Sequence, residues 1–187
     1  MMTPHLRSID PQRDIDRLYR YMSDERNQTL FSHSFRINSP QEFSQWLSGK
    51  LAGGDYHDFF MIDDAHGRTI GFTFSYEFFP YDRHCKFTLC LYEEFQGMGA
   101  GALAAALMMD YLFGAYPLRR IFVSIFDYNT ASLEENEKGG FVEVGVLPEW
   151  RYARGEYHAL HVLSISRQEF YARHQGILDK MESRTAS

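Results

Sequence analysis

"EEFQGMGAGALAAALMMDYLF", Glu93 to Phe113, is the stretch whose reading decides the fold. Gly97, Gly99 and Gly101 stand at alternate positions, and a run of alanine, leucine and methionine follows at once. Glycine lets backbone N–H groups crowd around a ligand with no side chain in the way. The residues after it are strong helix formers. The stretch therefore reads as a loop feeding a helix N-terminus, where unpaired amides and the helix dipole together favour an anion. Which anion it serves depends on what flanks it.

Outward from the loop, the bulk of the chain sets bounds. Its 187 residues suit one domain over 1–187, with a core over about 6–166 and a C-terminal helix and frayed tail over 167–187. A chain of ~150 residues already buries about 70% of its unfolded surface, so a sizeable core is expected. The net charge of −6, with no block of basic residues, argues against nucleic-acid binding through a basic face and suits cationic partners. Cys85 and Cys90 are five apart on one expected strand, hence on opposite faces, and should not pair; this suits a reducing, cytoplasmic setting. No apolar run reaches ~18 residues, so no membrane span is expected. "MMTPHLRSID" lacks the apolar core of a signal peptide.

The elements follow from pattern. "HLRSI" is a first strand, and Asp10 or Pro11 opens a helix to about Met22. "NSPQEFSQWLSGKL" is a second helix, with Ser39 as cap and Pro40 in its first turn. "DFFMIDD" is a strand. "TIGFTFSYEFF" alternates over ten residues: Ile70, Phe72, Phe74, Tyr76 and Phe78 on one face; Gly71, Thr73, Ser75 and Glu77 on the other. "PYDR" turns the chain and "HCKFTLCLY" returns as its partner. After the glycines a helix runs from about Gly101 to Ala115, with Leu103, Leu107 and Tyr111 on one face beside Met108 and Leu112. "RRIFVSIFD" is apolar on both faces and reads as a central strand. A short polar helix over Asn129–Lys138 ends at Gly139 and Gly140. "FVEVGVL" and "EYHALHVLSI" are the last strands, and "RQEFYARHQGILDKM" is a tail helix. Its loose apolar face, with Phe170, Ile177, Leu178 and Met181, packs on its own domain or forms a homodimer contact.

Two readings of the loop compete. Gly97-x-Gly99-x-x-Ala102 fits the relaxed dinucleotide fingerprint of an oxidoreductase, with Asp127 as a candidate ribose-binding acid. That fingerprint places its glycines directly after a strand inside an alternating βαβ run. Here a hairpin precedes them, and Glu93 to Gln96 intervene. The other reading, Gln96-x-x-Gly99-x-Gly101, is the pyrophosphate loop of an acetyl-CoA-dependent transferase.

The second reading extends along the chain. "LCLYEEFQGMGAGALAAALMMDYLF" followed by "VSIFDYNTASLEENEKGGFVEVGVL" resembles the GNAT superfamily of CoA-dependent N-acetyltransferases. The closest likeness is to the branch of ribosomal-protein N-terminal and spermidine acetyltransferases. Asn129 and Ser132 supply the family's Asn-x-x-Ser; Lys138, Gly140 and Phe141 its Lys-x-Gly-Phe; Glu143 and Gly145 its Glu-x-Gly. The likeness spans about Leu6 to Ser166 and is specific from Phe87 to Ser164.

The resemblance implies an α/β fold with a mixed, mostly antiparallel central sheet of six to seven strands, splayed at the CoA site and flanked by helices. It implies that backbone groups of Leu89, Cys90 and Leu91 pair with the pantetheine arm of acetyl-CoA. Gln96 stands at the loop entrance, and the amides of Gly97, Met98, Gly99, Ala100, Gly101 and Ala102 take the pyrophosphate. Asn129 bonds the pantetheine chain and Ser132 reaches the sulfur. Three positions depart from the pattern. Asn136 stands where many members carry a general-acid tyrosine, a role the branch gives to the serine. Lys86 stands in place of a common glutamate, and Ala159 in place of an aspartate.

Amine acetylation requires a neutral amine, although a Lys-type amine has a reference pKa of ~10.4. A carboxylate that takes the proton is the expected base. Glu149, before Trp150 at the end of a strand, is the first candidate; Glu77, on the polar face of an aromatic strand, is the second. Tyr157 is a candidate lining residue, and Asp24–Asn38 with the 77–84 hairpin are expected to wall the acceptor site. His158 and His161, three apart on a strand, face opposite ways, and no zinc-type spacing occurs elsewhere, so no metal is expected. The acceptor is a primary amine, either a small molecule or a protein N-terminus. A non-catalytic acyl-CoA-binding module is the alternative within the same fold.

Overall fold

The computed structural model describes residues 3–31 and 39–185, with residues 181, 182, 184 and 185 described by backbone alone. Seven strands form one sheet: β1 (His5–Ser8), β2 (Tyr56–Asp63), β3 (Thr69–Phe79), β4 (His84–Leu91), β5 (Arg120–Phe126), β6 (Val142–Ala153) and β7 (Glu156–Ser166). Their order is β1-β2-β3-β4-β5-β7-β6. Every neighbouring pair is antiparallel except β4–β5, which is parallel. The helices are α1 (Pro11–Ser23), α2 (Glu25–Gln28), α3 (Pro40–Ala52), α4 (Ala100–Ala115), α5 (Thr130–Lys138) and α6 (Arg167–Thr185).

The caps explain where the helices start. Asp10 accepts from the Gln12 amide ahead of α1, and Ser39 from the Glu42 amide ahead of α3; Pro11 and Pro40 fill the first turns. One turn of helix, α2, is absent from the sequence reading; Asp24 caps it by accepting from the Arg26 amide. A single turn is too short to show a periodic pattern. The tail helix continues to Thr185, past the expected fraying point, and residues 186–187 lie outside the described part.

Helices lie on both faces. On one face Leu18, Met22, Phe43 and Leu47 of α1 and α3 cover Phe59, Met61, Phe72, Phe74 and Cys90. On the other, α4 and α6 cover Cys85, Phe87, Ile121, Val123, Ile125, Leu163 and Ile165. The two cysteines thus point to opposite faces, both free, and burial pushes each thiol up to about 12, leaving it neutral and unreactive.

Two expectations about faces change. The β3 stripe is Phe72, Phe74 and Tyr76; Ile70 packs instead with Ile62, Leu91, Ala100 and Ala104. Phe78 joins the α4 side, stacked on His57 at 4.1 Å, because a bulge follows Tyr76 with Glu77 at φ 44°. An extra residue in a strand reverses the parity of the residues beyond it. The β3 face read as polar is covered: Thr73 and Ser75 are fully buried, Thr73 bonding the Thr88 carbonyl at 2.8 Å and Ser75 accepting from the Asp58 amide at 3.1 Å. In α4 the buried line is Ala104, Met108 and Leu112 rather than Leu103, Leu107 and Tyr111. A helix apolar all round does not declare its inner face.

An ion-pair cluster ties β1 to α1 and β2. Arg7 donates to both Asp14 oxygens at 2.7 Å and to Asp63 at 2.8 Å, and Arg13 reaches Asp63 at 3.2 Å. Burial works to raise the Asp14 carboxyl, but the Arg7 bonds and the Asp10 amide outweigh it and hold it below its ordinary range. A carboxyl depressed on folding stabilises the fold above its unfolded pKa of ~3.9, and that contribution is lost as pH falls through the folded value. The urea midpoint of the parent should therefore fall below about pH 4 more steeply than that of Asp14→Asn, which starts lower at neutral pH.

Gly71 lies against β4, paired with Leu91. A Cβ there lies 2.1 Å from the Cys90 carbonyl oxygen and 3.0 Å from Leu91 Cα. Both are backbone atoms that cannot move aside cheaply. Gly71→Ala should lower unfolding free energy by about 1–3 kcal/mol, read as a reduced urea midpoint.

Candidate active site

Strands β4 and β5 pair over three positions only: His84 with Arg120, Cys85 with Ile121, Lys86 with Phe122. Beyond them the strands part. β4 stays paired with β3 as far as Leu91, and β5 with β7 as far as Phe126. The Tyr92 amide donates to the Ile70 carbonyl, which sets the phase of the β3–β4 ladder. In an antiparallel pair the bonded positions alternate. Even-numbered β4 residues therefore spend their backbone groups on β3, while Leu89 and Leu91 turn theirs toward the gap. Cys90, expected to share in that edge, bonds β3 instead. The Leu91 carbonyl accepts from Gln96 Nε2 at 3.0 Å, so Gln96 braces the loop against the strand it leaves.

A 3-10 turn, Glu93–Phe95, leads into the glycine loop. Gly97 and Gly99 have φ of 73° and 75°, in the left-handed region that glycine tolerates, and Gly99 caps α4. A Cβ at either glycine meets no atom within 4 Å. The glycines serve the backbone bend, and the space over the loop is open. The amides of Ala100, Gly101 and Ala102 occupy the first turn of α4, where no intrahelical acceptor exists. Met98 stands exposed between the two bends. Open space, an unpaired strand edge and a ring of amides fit a pantetheine arm ending in a diphosphate.

The far side of the gap is built by the turn from β5 into α5. Asn129 caps α5, its Oδ1 accepting from the Ser132 amide at 3.4 Å. Asn136 Nδ2 donates to the Ser132 carbonyl at 2.8 Å and to Ser132 Oγ at 3.4 Å. Ser132 Oγ is an acceptor in this contact, and a hydroxyl keeps one hydrogen to donate.

The two carboxylates singled out from sequence share a backbone feature. Glu77 and Glu149 are both non-glycine residues at positive φ, 44° and 52°, and both sit in strand bulges. Such bulges re-aim side chains and recur beside functional sites. Glu77 is held by Lys86, Oε2 to Nζ 2.8 Å, at the point where β4 and β5 part. A carboxylate from β3 thus lies beside Lys86, with its charge offset by that lysine. Glu149 lies exposed on the β6 bulge that opposes Ala159.

On the face away from α4, Phe126 and Tyr128 stack at 5.3 Å, and the Arg151 guanidinium covers Phe126 at 4.2 Å. Tyr128 Oη and Arg151 Nη1 both donate to the Thr29 carbonyl, the latter at 3.0 Å, so the segment after α2 is latched across the end of β5. Of the expected acceptor wall, Asp24–Phe31 touches the end of β5 and β6 through Thr29, and 32–38 lies outside the described residues. Of the 77–84 hairpin only the Glu77 end borders the fork. Its tip packs on the start of β5, where the Arg119 amide bonds the Arg83 carbonyl at 2.7 Å, at the opposite end of β4 from the glycine loop. Tyr157 is largely exposed against Tyr152. His158 Nδ1 meets Asp127 Oδ1 at 2.9 Å. Reading the sequence did not assemble Thr29, Asp127, Tyr128, Arg151 and His158, because only the β5–β7–β6 register brings them together. Among the described residues no group of three or more His, Cys, Asp or Glu is placed to hold a metal.

A family model, the acetyltransferase (GNAT) domain, matches residues 5–142. The SPbeta prophage-derived uncharacterized N-acetyltransferase YokL of Bacillus subtilis is 19% identical over 169 residues, covering 90% of this chain and 93% of that protein. The spermidine N(1)-acetyltransferase of Vibrio cholerae is 26% identical over 114 residues, 61% of this chain and 66% of that one. The crystal structure of a V. cholerae spermidine N-acetyltransferase in complex with CoA and spermine superposes with a TM-score of 0.82 at 20% identity, covering 90% of this chain and 98% of that one.

If the loop takes the diphosphate, Gly99→Val should abolish acetyl-CoA binding by isothermal titration. A branched residue at φ 75° is strained by roughly 1–2 kcal/mol, so the fold should persist with a lowered melting temperature. Parental affinity in this variant excludes the loop as the diphosphate site.

Proposed function

This chain belongs to the GNAT acetyltransferase domain family and is an acetyl-CoA-dependent N-acetyltransferase, and from that premise we propose that it acetylates a small-molecule primary amine bound in the cleft between Asp24–Phe31 and the β5–β7–β6 face. The observation that carries this reading is the fork: the edge of β4 left by β5 beyond Lys86, a glycine loop that opens α4 at one end, and the Asn129–Ser132 turn that opens α5 after β5. The amides of Gly97 to Ala102 hold the pyrophosphate. The Leu89 and Leu91 edge orders the pantetheine arm, and Asn129 bonds it from the other side. An extended arm lying against a strand edge exchanges hydrogen bonds as another strand does.

Ser132 donates to the departing sulfur. Such a bond is stronger to a thiolate than to a thioester, so it acts on the transition state more than on binding. Glu149, exposed on its bulge, supplies a negative charge at the mouth of the cleft, which draws a cationic amine toward it. Polyamines are the first acceptors to test, because a V. cholerae relative carries spermidine in its name and the net charge here is −6. Two buried free thiols suit a cytoplasmic setting.

The test is an acetylation screen over polyamines, amino sugars, amino acids and ribosomal-protein N-terminal peptides, with thiol release as readout. Turnover confined to peptides overturns the small-molecule assignment. Ser132→Ala should lower kcat about 10- to 150-fold, the equivalent of a charge-assisted bond of roughly 1.5–3 kcal/mol, with little change in acetyl-CoA affinity. Glu149→Gln should raise KM for the amine and leave kcat near the parent's.

A further inference from the structure

An imidazole and a carboxylate meet where β5 ends. His158 Nδ1 lies 2.9 Å from Asp127 Oδ1, and the Ala159 amide donates to Asp127 Oδ2 at 2.9 Å. The Ala159 N–H first, and the His158 contact after it, hold the Asp127 carboxyl below its ordinary range. An ionised carboxylate only accepts, so Nδ1 carries the hydrogen, and in the neutral ring Nε2 is the nitrogen with the lone pair. Among the described residues no group bonds Nε2. The ring is set edge-on against Tyr128 at 4.8 Å, and the side chain is 17% exposed. The result is an oriented imidazole with one tautomer selected and its basic nitrogen unspent.

Its position matters as much as its state. Phe126 is paired with Leu160, and the Asp127 amide bonds the Ala159 carbonyl, so His158 continues the Phe126–Tyr128 face. That face looks toward α2 and away from α4, whereas Ile125 and Leu163 pack on the α4 side. Within the same turn, Asp127 points to β7 and Asn129 caps the helix that carries Ser132. One short loop therefore separates a sulfur donor on the CoA side from an imidazole on the acceptor side. The charged and titratable groups around His158 are Asp127 at the end of β5, Tyr128 beside it, and Arg151 directly opposite on β6, with Glu149 two residues before Arg151.

We propose that His158, held by Asp127, accepts the proton of the attacking amine; this rests on the acceptor cleft described above. The amine lone pair forms the C–N bond to the acetyl carbon while the C–S bond breaks and its electron pair leaves on sulfur. The amine proton passes to His158 Nε2, directly or through one water. The imidazolium so formed lies against the Asp127 carboxylate and releases its proton to solvent, and the thiolate takes a proton from solvent. The role is that of an oriented general base, with Asp127 as the positioning residue.

The test uses the full-length enzyme and an amine that the parent acetylates, with acetylated amine as readout, since thiol release also counts acetylation of added imidazole. His158→Ala should lower kcat/KM for the amine about 10²- to 10⁴-fold and keep the parental acetyl-CoA affinity. Added imidazole should restore turnover saturably. Asp127→Asn, which removes the tautomer preference, should lose activity and gain nothing from imidazole. His158→Gln should match His158→Ala without imidazole. Activity within threefold of the parent in either His158 variant overturns the proposal. So does a loss that imidazole never relieves, or a loss of acetyl-CoA affinity in both variants. Failure of the underlying reading is separate: the parent itself then acetylates no amine.

Discussion

The parting of β4 from β5 is the constraint on which the site depends. Each strand has an antiparallel partner that it follows to its end, β3 for one and β7 for the other. The two half-sheets touch through three parallel pairs and then diverge. Sheet twist alone does not open such a gap, because twisted neighbours normally stay bonded. Here each face has its own core, α1 and α3 packing over β2 and β3 on one side, α4 and α6 over β4, β5 and β7 on the other. The unpaired edge of β4 is the kind of exposed ladder that proteins usually cover.

Everything the chemistry needs is then arranged along the fork. The glycine loop leaves the tip of β4, and the Asn129 turn leaves the tip of β5. Small residues let α4 come close: Ala100 and Ala104 pack with Ile62, Ile70 and Leu91, which places the first turn of the helix beside the strand end. At the crotch, Lys86 and Glu77 form a neutral pair. A carboxylate paired in this way is less available to take a proton than an oriented imidazole. That pairing sets Glu77 apart from Glu149, which lies exposed on its own bulge.

The two sides of the sheet divide the work. On the α4 side lie the glycine-loop amides at the start of that helix. On the α2 side lie Tyr128, Arg151 and His158, closed over by the Thr29 carbonyl. The Asn129–Ser132 turn and the Asp127–His158 pair thus leave the same strand end toward different sides.

Local chemistry determined a good deal. Glycines at positive φ, capping side chains at Asp10, Ser39 and Asn129, and period-two alternation in β3 are each legible within a few residues, because the forces behind them act between near neighbours. The order of elements, the CoA loop and the Asn129–Ser132 turn are legible from such signals. The face of α4 is not, since a helix apolar on every side carries no directional signal. The fates of Phe78 and Glu77 turn on one bulge, which reverses parity and leaves no mark in composition. Only the tertiary structure paired Asp127 with His158, 31 residues apart, and Thr29 with Arg151, 122 apart, because strand register across a sheet is set by the whole core rather than by any local stretch.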